Sequence, residues 1–215
     1  MNDALNILKS TGAILANGHF IGVSGRHMST YVTKDAFLPH TAKVSKIGKL
    51  FAQKFKNKKI EIVIGPAVGG IPLSQWTAYH LSKISKREVL SVFTEKANDG
   101  DQILKRGYDT LVKGKRILIV EDTVTSGSSI KKVIKAIKKA GGKIVSVCIM
   151  TNRDPKIVNA KNIGAPISAL AVLNVPSYEA NKCPLCKHKI PINIKFGHGK
   201  EFLASPVGRS MAEGI

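Results

Sequence analysis

Four apolar residues, Ile117-Leu118-Ile119-Val120, run straight into two adjacent carboxylates, Glu121 and Asp122, and then into Thr123-Val124-Thr125-Ser126-Gly127-Ser128-Ser129. A short apolar run bounded in this way reads as a strand buried on both faces, as in a parallel sheet. A helical pattern begins at Ser128, so the unit is strand, loop, helix. Ligands of open α/β sheets bind at the carboxyl ends of strands. A small-residue loop opening a helix presents backbone N–H groups to an anion. One segment thus places an acidic pair beside a phosphate cradle. A sugar phosphate needs both: carboxylates accept hydrogen bonds from ribose hydroxyls, while N–H and hydroxyl donors hold the phosphate. Two carboxylates at the mouth of a buried strand repel each other without a ligand or metal, which weighs against a purely structural turn.

The rest of the chain alternates strands with helices. Residues 3 to 16 carry apolar side chains at helical spacing and predict an N-terminal helix reaching Asn17-Gly18. Phe20 to Lys34 is short, glycine-broken and β-rich. Lys43 to Phe55 predicts an amphipathic helix, Ile60 to Ile64 a strand ended by Gly65-Pro66, Ile71 to Ile84 a helix, and Val89 to Phe93 a strand. Ala97 to Lys113, with Gly100, Gly107 and little apolar periodicity, predicts a mobile loop with at most a poor hairpin. Ile117 to Val120 is the expected central strand. A helix from Ser128 to Ala140 follows, stopped by Gly141-Gly142, then strands over Ile144 to Met150 and Ala169 to Val172. This alternation predicts an α/β fold with a doubly wound, mostly parallel sheet flanked by helices.

At 215 residues a single domain over 1–204 is expected, with a flexible tail over 205–215. No apolar run approaches the roughly 20 residues of a membrane span. The start lacks a basic region followed by an apolar core, and three cysteines do not make a secreted disulfide framework. A cytoplasmic protein is the expectation. The formal net charge is +20. The excess is mostly lysine, dispersed and without interleaved aromatics, which favours solvated helix faces over a nucleic-acid partner. A basic surface would also attract a small polyanionic substrate.

The Ile117–Ser129 segment resembles the phosphoribosyl-pyrophosphate (PRPP) signature of type I phosphoribosyltransferases: an apolar run, two acidic residues, then a Thr-x-Gly-Thr/Ser type loop. The resemblance implies that family's fold with a small N-terminal hood, from about residues 1–40 and the C-terminal segment. It implies that Glu121 and Asp122 hold the ribose hydroxyls, and that Thr125, Ser126, Gly127, Ser128 and Ser129 wrap the 5′-phosphate. Gly65-Pro66-Ala67-Val68-Gly69-Gly70-Ile71-Pro72-Leu73 is similar to the diphosphate loop of the orotate branch, with Pro66, Ala67, Val68, Gly69 and Gly70 as the binding residues. Ser24-Gly25-Arg26-His27-Met28-Ser29-Thr30-Tyr31 resembles the hood segment of that branch, which makes Ser24, Arg26 and Tyr31 base-binding candidates. Val23 departs from the pattern where a base-proximal lysine is usual, and Tyr31-Val32 replaces an aromatic pair.

Three further segments follow from the same resemblance. Lys96, after Thr94-Glu95, matches a catalytic lysine on a loop that closes over the diphosphate and in dimers can reach a neighbour's site. Lys105 and Arg106 are further diphosphate ligands, although the usual Lys-x-His element is replaced by Ala97 to Gly100. Arg153 matches an Arg that contacts a carboxylate or carbonyl of the base, a task suited to a bidentate guanidinium. Cys183-Pro184-Leu185-Cys186 is half of a zinc site. Its other ligands could come from His188, His198 or a second subunit, and a tight turn with two free thiols is equally compatible. Cys148, inside an apolar strand, is expected in the core.

The implied reaction transfers ribose 5-phosphate from PRPP to a ring nitrogen and releases diphosphate, with Mg²⁺ held mainly through PRPP near Glu121 and Asp122. The expected partners are PRPP and a nucleobase, orotate favoured, within a homodimer; no membrane partner is expected, and nucleic acid is disfavoured but stays open. The alternatives are a purine or other base as acceptor, or a PRPP-sensing regulator that binds nucleic acid.

Overall fold

The computed structural model, which describes residues 3–206 and 208, follows the alternation seen in the sequence. Helix α1 (Asp3–Ser10) is succeeded by four two-residue strands, β1 (Ile14–Leu15), β2 (Phe20–Ile21), β3 (His27–Met28) and β4 (Tyr31–Val32). Then come α2 (Thr41–Phe55), β5 (Ile62–Pro66), α3 (Gly70–Ser85), β6 (Leu90–Lys96), β7 (Gln102–Ile103), α4 (Tyr108–Val112), β8 (Arg116–Val124) and α5 (Ser128–Lys139). The chain continues through β9 (Lys143–Asn152), α6 (Ala160–Ile163), β10 (Ile167–Val172), β11 (Ser177–Tyr178), α7 (Pro184–Lys187) and α8 (Gly199–Ala204). Two compact units result, one from Phe37–Asn174 with the first seven residues, the other from Leu8–Ala36 with the chain from Val175 onward.

The first unit is built on a six-stranded sheet in the order β10-β9-β8-β5-β6-β7. All neighbours are parallel except the β6–β7 hairpin. β5 and β8 sit inside it and are apolar because helices cover both faces; Ile62, Val63, Ile64, Ile117, Leu118, Ile119 and Val120 are all buried. α5 lays Ile130, Val133, Ile134 and Ile137 on one face, in one core with Ile64, Ile119 and Ile149. These four positions recur at i, i+3, i+4 and i+7, the spacing of a single helical stripe. α3 packs against β5, β6 and β8, and α2 packs on α3. Gly48 of α2 allows that last approach: a Cβ there would stand 2.7 Å from the Trp76 Cβ and 2.8 Å from its carbonyl carbon. Nearby, the Ser45 hydroxyl and the His80 ring meet at 2.9 Å.

In the second unit β1 pairs with β4, and β11, β3 and β2 form a three-stranded antiparallel sheet. Phe20, Ile21 and Met28 are buried there.

The structure corrects the sequence reading in two places. The first helix stops at Ser10, not at Asn17. The N–H groups of Gly12 and Ala13 turn back onto the carbonyls of Lys9 and Leu8 at 3.1 and 2.9 Å, a Schellman closure with Gly12 left-handed at φ 67°. Ile14 and Leu15, which look like a further helical turn, form β1 instead. Second, residues 97–113 complete the expected short hairpin, β6–β7, and add a helix, α4, that the sequence reading did not include. The partners that hold them come from far along the chain: the Lys132 ammonium donates to the Gly100 carbonyl at 2.6 Å, and Lys135 to the Asp101 carboxylate at 2.6 Å. The predicted tail over 205–215 falls largely outside the described residues. No described helix is long and apolar enough to cross a membrane.

The Gly48 contact yields a test. Gly48→Ala gains about 1 kcal/mol of helix propensity but overpacks the α2–α3 seam. A net loss of about 1–2 kcal/mol is expected, seen as a lower urea midpoint at unchanged slope; an unchanged or raised midpoint would show that the seam has slack.

Candidate active site

Strand order sets the site. From β5 the chain moves outward through α3 to β6 and β7, then jumps back past β5 to β8 and runs outward the other way to β9 and β10. β5 and β8 therefore flank the point where the winding reverses, and the crevice at their carboxyl ends is where such sheets bind ligands. Ile62–Ile64 pairs with Ile117–Ile119. Carried two residues further, that register sets Glu121 level with Pro66, and Pro66 is paired with Thr94 of β6. On the other side Glu121 is paired with Ile149, and Val124 with Asn152 of β9. Four neighbouring strand ends thus carry predicted site residues: Lys96 on β6, Pro66–Gly70 after β5, Glu121 and Asp122 on β8, and Arg153 after β9.

The loop after β5 is folded tightly on itself. A Cβ on Gly65 would run into the Gly70 carbonyl, and one on Gly70 would lie 2.7 Å from the Pro66 ring and 2.8 Å from the Gly65 backbone. Only hydrogen fits at either position, and the bend brings the α3 N-terminus up against the strand end. The Ala67–Val68 peptide is cis. The Ala67 N–H donates to the Thr94 carbonyl at 2.8 Å. Val68 is exposed to 69 %, whereas Gly69 and Gly70 are buried. α3 begins with no side-chain cap.

The loop after β8 is the counterpart. Gly127 takes the left-handed conformation at φ 76°, immediately before α5, and that helix too has neither a side-chain cap nor an acid in its first turn. Helix N-termini leave N–H donors unsatisfied and carry partial positive charge. Ser126, Ser128 and Ser129 are exposed, and the Ser126 hydroxyl donates to that of Ser128 at 3.2 Å. Glu121 is 9 % exposed and Asp122 half-buried. Each carboxylate is held locally: a Glu121 oxygen accepts the Asp122 N–H at 3.0 Å, and an Asp122 oxygen accepts the Thr123 N–H. The arrangement can take a phosphate at each of two helix ends and present carboxylate oxygens to hydroxyls between them.

The basic candidates differ in setting. Lys96 is exposed at the end of β6. Arg106 and Lys105 lean back on Glu95, at 2.9 and 3.7 Å, and the Arg106 guanidinium lies over the Phe93 ring at 5.9 Å. Arg153 is buried at 5 % exposure, its backbone N–H bonded to the Val124 carbonyl at 2.9 Å. In the second unit Ser24 is exposed, and Tyr31 stacks on Phe20 with centroids 5.7 Å apart. Arg26 binds Ser177, Nε to the hydroxyl at 2.9 Å and Nη2 to the carbonyl at 2.5 Å.

Sequence reasoning passed over Glu95 and the α5 lysines that hold the hairpin, because their partners become neighbours only in the fold. An acid directly before Lys96 in a strongly basic chain was the available hint. It also passed over His19 and His27, which lie 1 % and 0 % exposed in the second unit.

A family model described as the phosphoribosyl transferase domain matches residues 33–163. The orotate phosphoribosyltransferase of Desulforamulus reducens is 36 % identical over 190 residues, covering 88 % of this chain and 93 % of that protein. That of Thermus thermophilus is 35 % identical, covering 88 % and 98 %. The crystal structure of orotate phosphoribosyltransferase from Aeropyrum pernix superposes with a TM-score of 0.62 at 23 % identity, covering 80 % of this chain and 94 % of that one, which shows the same fold.

The glycine contact predicts that Gly65→Ala distorts the loop without unfolding the sheet. Diphosphate affinity, followed calorimetrically, is expected to fall roughly tenfold or more, about 1.4 kcal/mol, with the far-UV spectrum retained. Wild-type affinity in a folded variant would remove the loop from the site.

Proposed function

This chain belongs to the phosphoribosyl transferase family, and we propose that it transfers the 5-phosphoribosyl group of PRPP to orotate, giving orotidine 5′-phosphate and diphosphate. The observation that carries the reading is the pair of uncapped helix N-termini, α3 and α5, opening from adjacent strands beside Glu121 and Asp122. One donor-rich end suits each phosphate-bearing end of PRPP, and the carboxylates between them suit its ribose hydroxyls. The curated orotate relatives, which align over most of both chains, support orotate as acceptor.

In this reading the residues do distinct work. N–H groups of Val68–Gly70 and the α3 end hold the diphosphate, while Pro66, which has no N–H, and Ala67, whose N–H is spent on the Thr94 carbonyl, shape the bend. Thr125 to Ser129 and the α5 end hold the 5′-phosphate. Breaking the C1′–O bond builds positive charge on the sugar and negative charge on the leaving diphosphate. Glu121 and Asp122 orient the ribose and bear on the cationic sugar, and Lys96 meets the charge growing on the diphosphate. The ion pairs of Lys105 and Arg106 with Glu95 are half-exposed, so they are worth about 0–1 kcal/mol. Glu95 therefore parks these cations and lets a more highly charged diphosphate draw them away. Arg153 is assigned to the base. The base contacts of Ser24, Arg26 and Tyr31 rest on the resemblance alone.

Two oxygen-donor carboxylates at a strand end, held in orientation by backbone N–H groups, fit Mg²⁺, a hard cation that takes oxygen ligands. Glu121 and Asp122 are the residues that would stand beside it. When bound with PRPP it supplies neutralising charge to the diphosphate. We further propose a cytoplasmic homodimer, one catalytic domain over 1–204, and a basic surface that serves small polyanions, not nucleic acid.

Purified protein mixed with PRPP, Mg²⁺ and orotate is expected to consume orotate and release diphosphate stoichiometrically. Diphosphate release with a purine alone would replace orotate as acceptor. No turnover with any base, together with salt-sensitive nucleic-acid binding, would favour a regulator. Asp122→Asn is expected to lower kcat/KM by roughly 10²–10³-fold, the scale of one lost electrostatic contact in a transition state, while Tm stays close to wild type. Retained activity would exclude the ribose role. Mixing Lys96→Ala with Asp122→Asn separates two geometries. Activity regained in the mixture means that Lys96 serves a neighbour's site, and none means that it serves its own.

A further inference from the structure

We propose that His19, His27, Cys183 and Cys186 form a structural zinc site of the His₂Cys₂ type, belonging wholly to the second unit. One ligand atom from each residue gathers within a sphere in which all lie within 4.8 Å of one another. His19 Nε2 is 3.8 Å from both sulfurs, His27 Nδ1 is 3.3 Å from Cys186 Sγ, and the two ring nitrogens are 2.8 Å apart. A tetrahedron with Zn–S of about 2.3 Å and Zn–N of about 2.0 Å has edges of about 3.3–3.8 Å. Three of these four separations match it, and the fourth, at hydrogen-bond distance, would have to open by about 0.5 Å around an ion. Cys183 and Cys186 are not joined in a disulfide.

The local fold explains how the four meet. His27 of β3 pairs with Ile21 of β2, which puts His19 diagonally across from it on the same sheet face. Cys183 and Cys186 bracket the first turn of α7, so the Cys-x-x-Cys spacing presents both sulfurs to one side. The sequence leaves the further ligands open between His188, His198, a second subunit, or none. Neither His188 nor His198 joins the cluster; the two histidines come from the hairpin more than 150 residues earlier.

The surroundings are those of a metal ligand set. His19 Nδ1 lies 2.7 Å from the Ile190 carbonyl, which can only accept. Nδ1 therefore carries the proton and Nε2 turns its lone pair into the cluster, the second-shell pattern that orients metal-bound histidine. His27 Nε2 is buried without a hydrogen-bond partner. Neutral imidazoles and thiolates are the forms that ligate a metal. Zn²⁺ with two thiolates is neutral overall, which suits burial, and binding would release the two thiol protons. A soft S₂N₂ set selects zinc over magnesium or calcium. The ion would add a further tie between the β2–β3 hairpin and the C-terminal segment, which otherwise meet through the β3–β11 pairing and individual hydrogen bonds and ring contacts.

The experiment uses untagged protein purified without chelator. Elemental analysis is expected to find about one zinc per chain, retained in Cys148→Ser and lost in Cys183→Ser and Cys186→Ser. Wild-type protein stripped of metal and titrated with Co²⁺ is expected to show tetrahedral d–d bands and a thiolate charge-transfer band saturating at one equivalent, a readout that needs no variant to fold. Tm is expected to fall on stripping and to recover with Zn²⁺. Zinc below about a tenth of an equivalent with no cobalt–thiolate band, iron in place of zinc, or full metal retention in both Cys→Ser variants would each overturn the proposal.

Discussion

The backbone pairing of Ile62–Ile64 with Ile117–Ile119 is the constraint on which the rest of the first unit depends. Those segments lie more than fifty residues apart, and a parallel pairing can only be reached through a crossover. The chain uses the interval to build α3, β6 and β7 on one side before returning to β8. Because the pairing is parallel, both strands end at the same edge, and both following helices begin there. The two strands lie one strand spacing apart, about 4.8 Å, and an uncapped helix start follows each. Neither helix could offer this alone. The apolar character of both strands is what makes the pairing firm, since a slip in register would leave their helix-covered faces mismatched.

Tight packing then turns an edge into a shaped site. Gly65 and Gly70 touch backbone to backbone, so the turn after β5 cannot relax outward. Glu121 and Asp122 are fixed by the N–H groups that directly follow them. Both devices are local and cost no long side-chain ordering. The basic residues are treated in the opposite way. Lys96, Lys105 and Arg106 stand on an exposed hairpin, and their counter-charges are weak. Close-packed backbone and exposed basic side chains thus stand on different strand ends.

Much of this was legible in the chain itself. The buried runs 117–120 and 144–150 fell on β8 and β9, because both-face burial leaves an unambiguous apolar signature. The Gly65–Gly70 and Thr125–Ser129 loops could be placed from small residues lying between a strand and a helix. What escaped depended on distant partners. Ile14 and Leu15 keep helical spacing, yet a three-residue turn at Gly12 decides their fate. The order in residues 97–113 comes from Lys132 and Lys135, thirty-odd positions later. His19 and His27 carry no recognisable spacing relative to Cys183, since a shared sheet face, not sequence distance, sets the separation.

α5 has two tasks at once. Its first turn frames the phosphate loop, while Lys132 and Lys135, one and two turns along, grip the tip of the β6–β7 hairpin. One helix therefore joins the loop after β8 to the hairpin tip. The tip cannot be displaced without releasing that grip or pulling on the helix whose first turn follows Gly127. The outer contact, Lys135 to Asp101, is solvent-exposed, so dissolved ions loosen it readily. Raised salt would therefore slacken this outer anchor of the hairpin tip before the part-buried Lys132 contact to the Gly100 carbonyl.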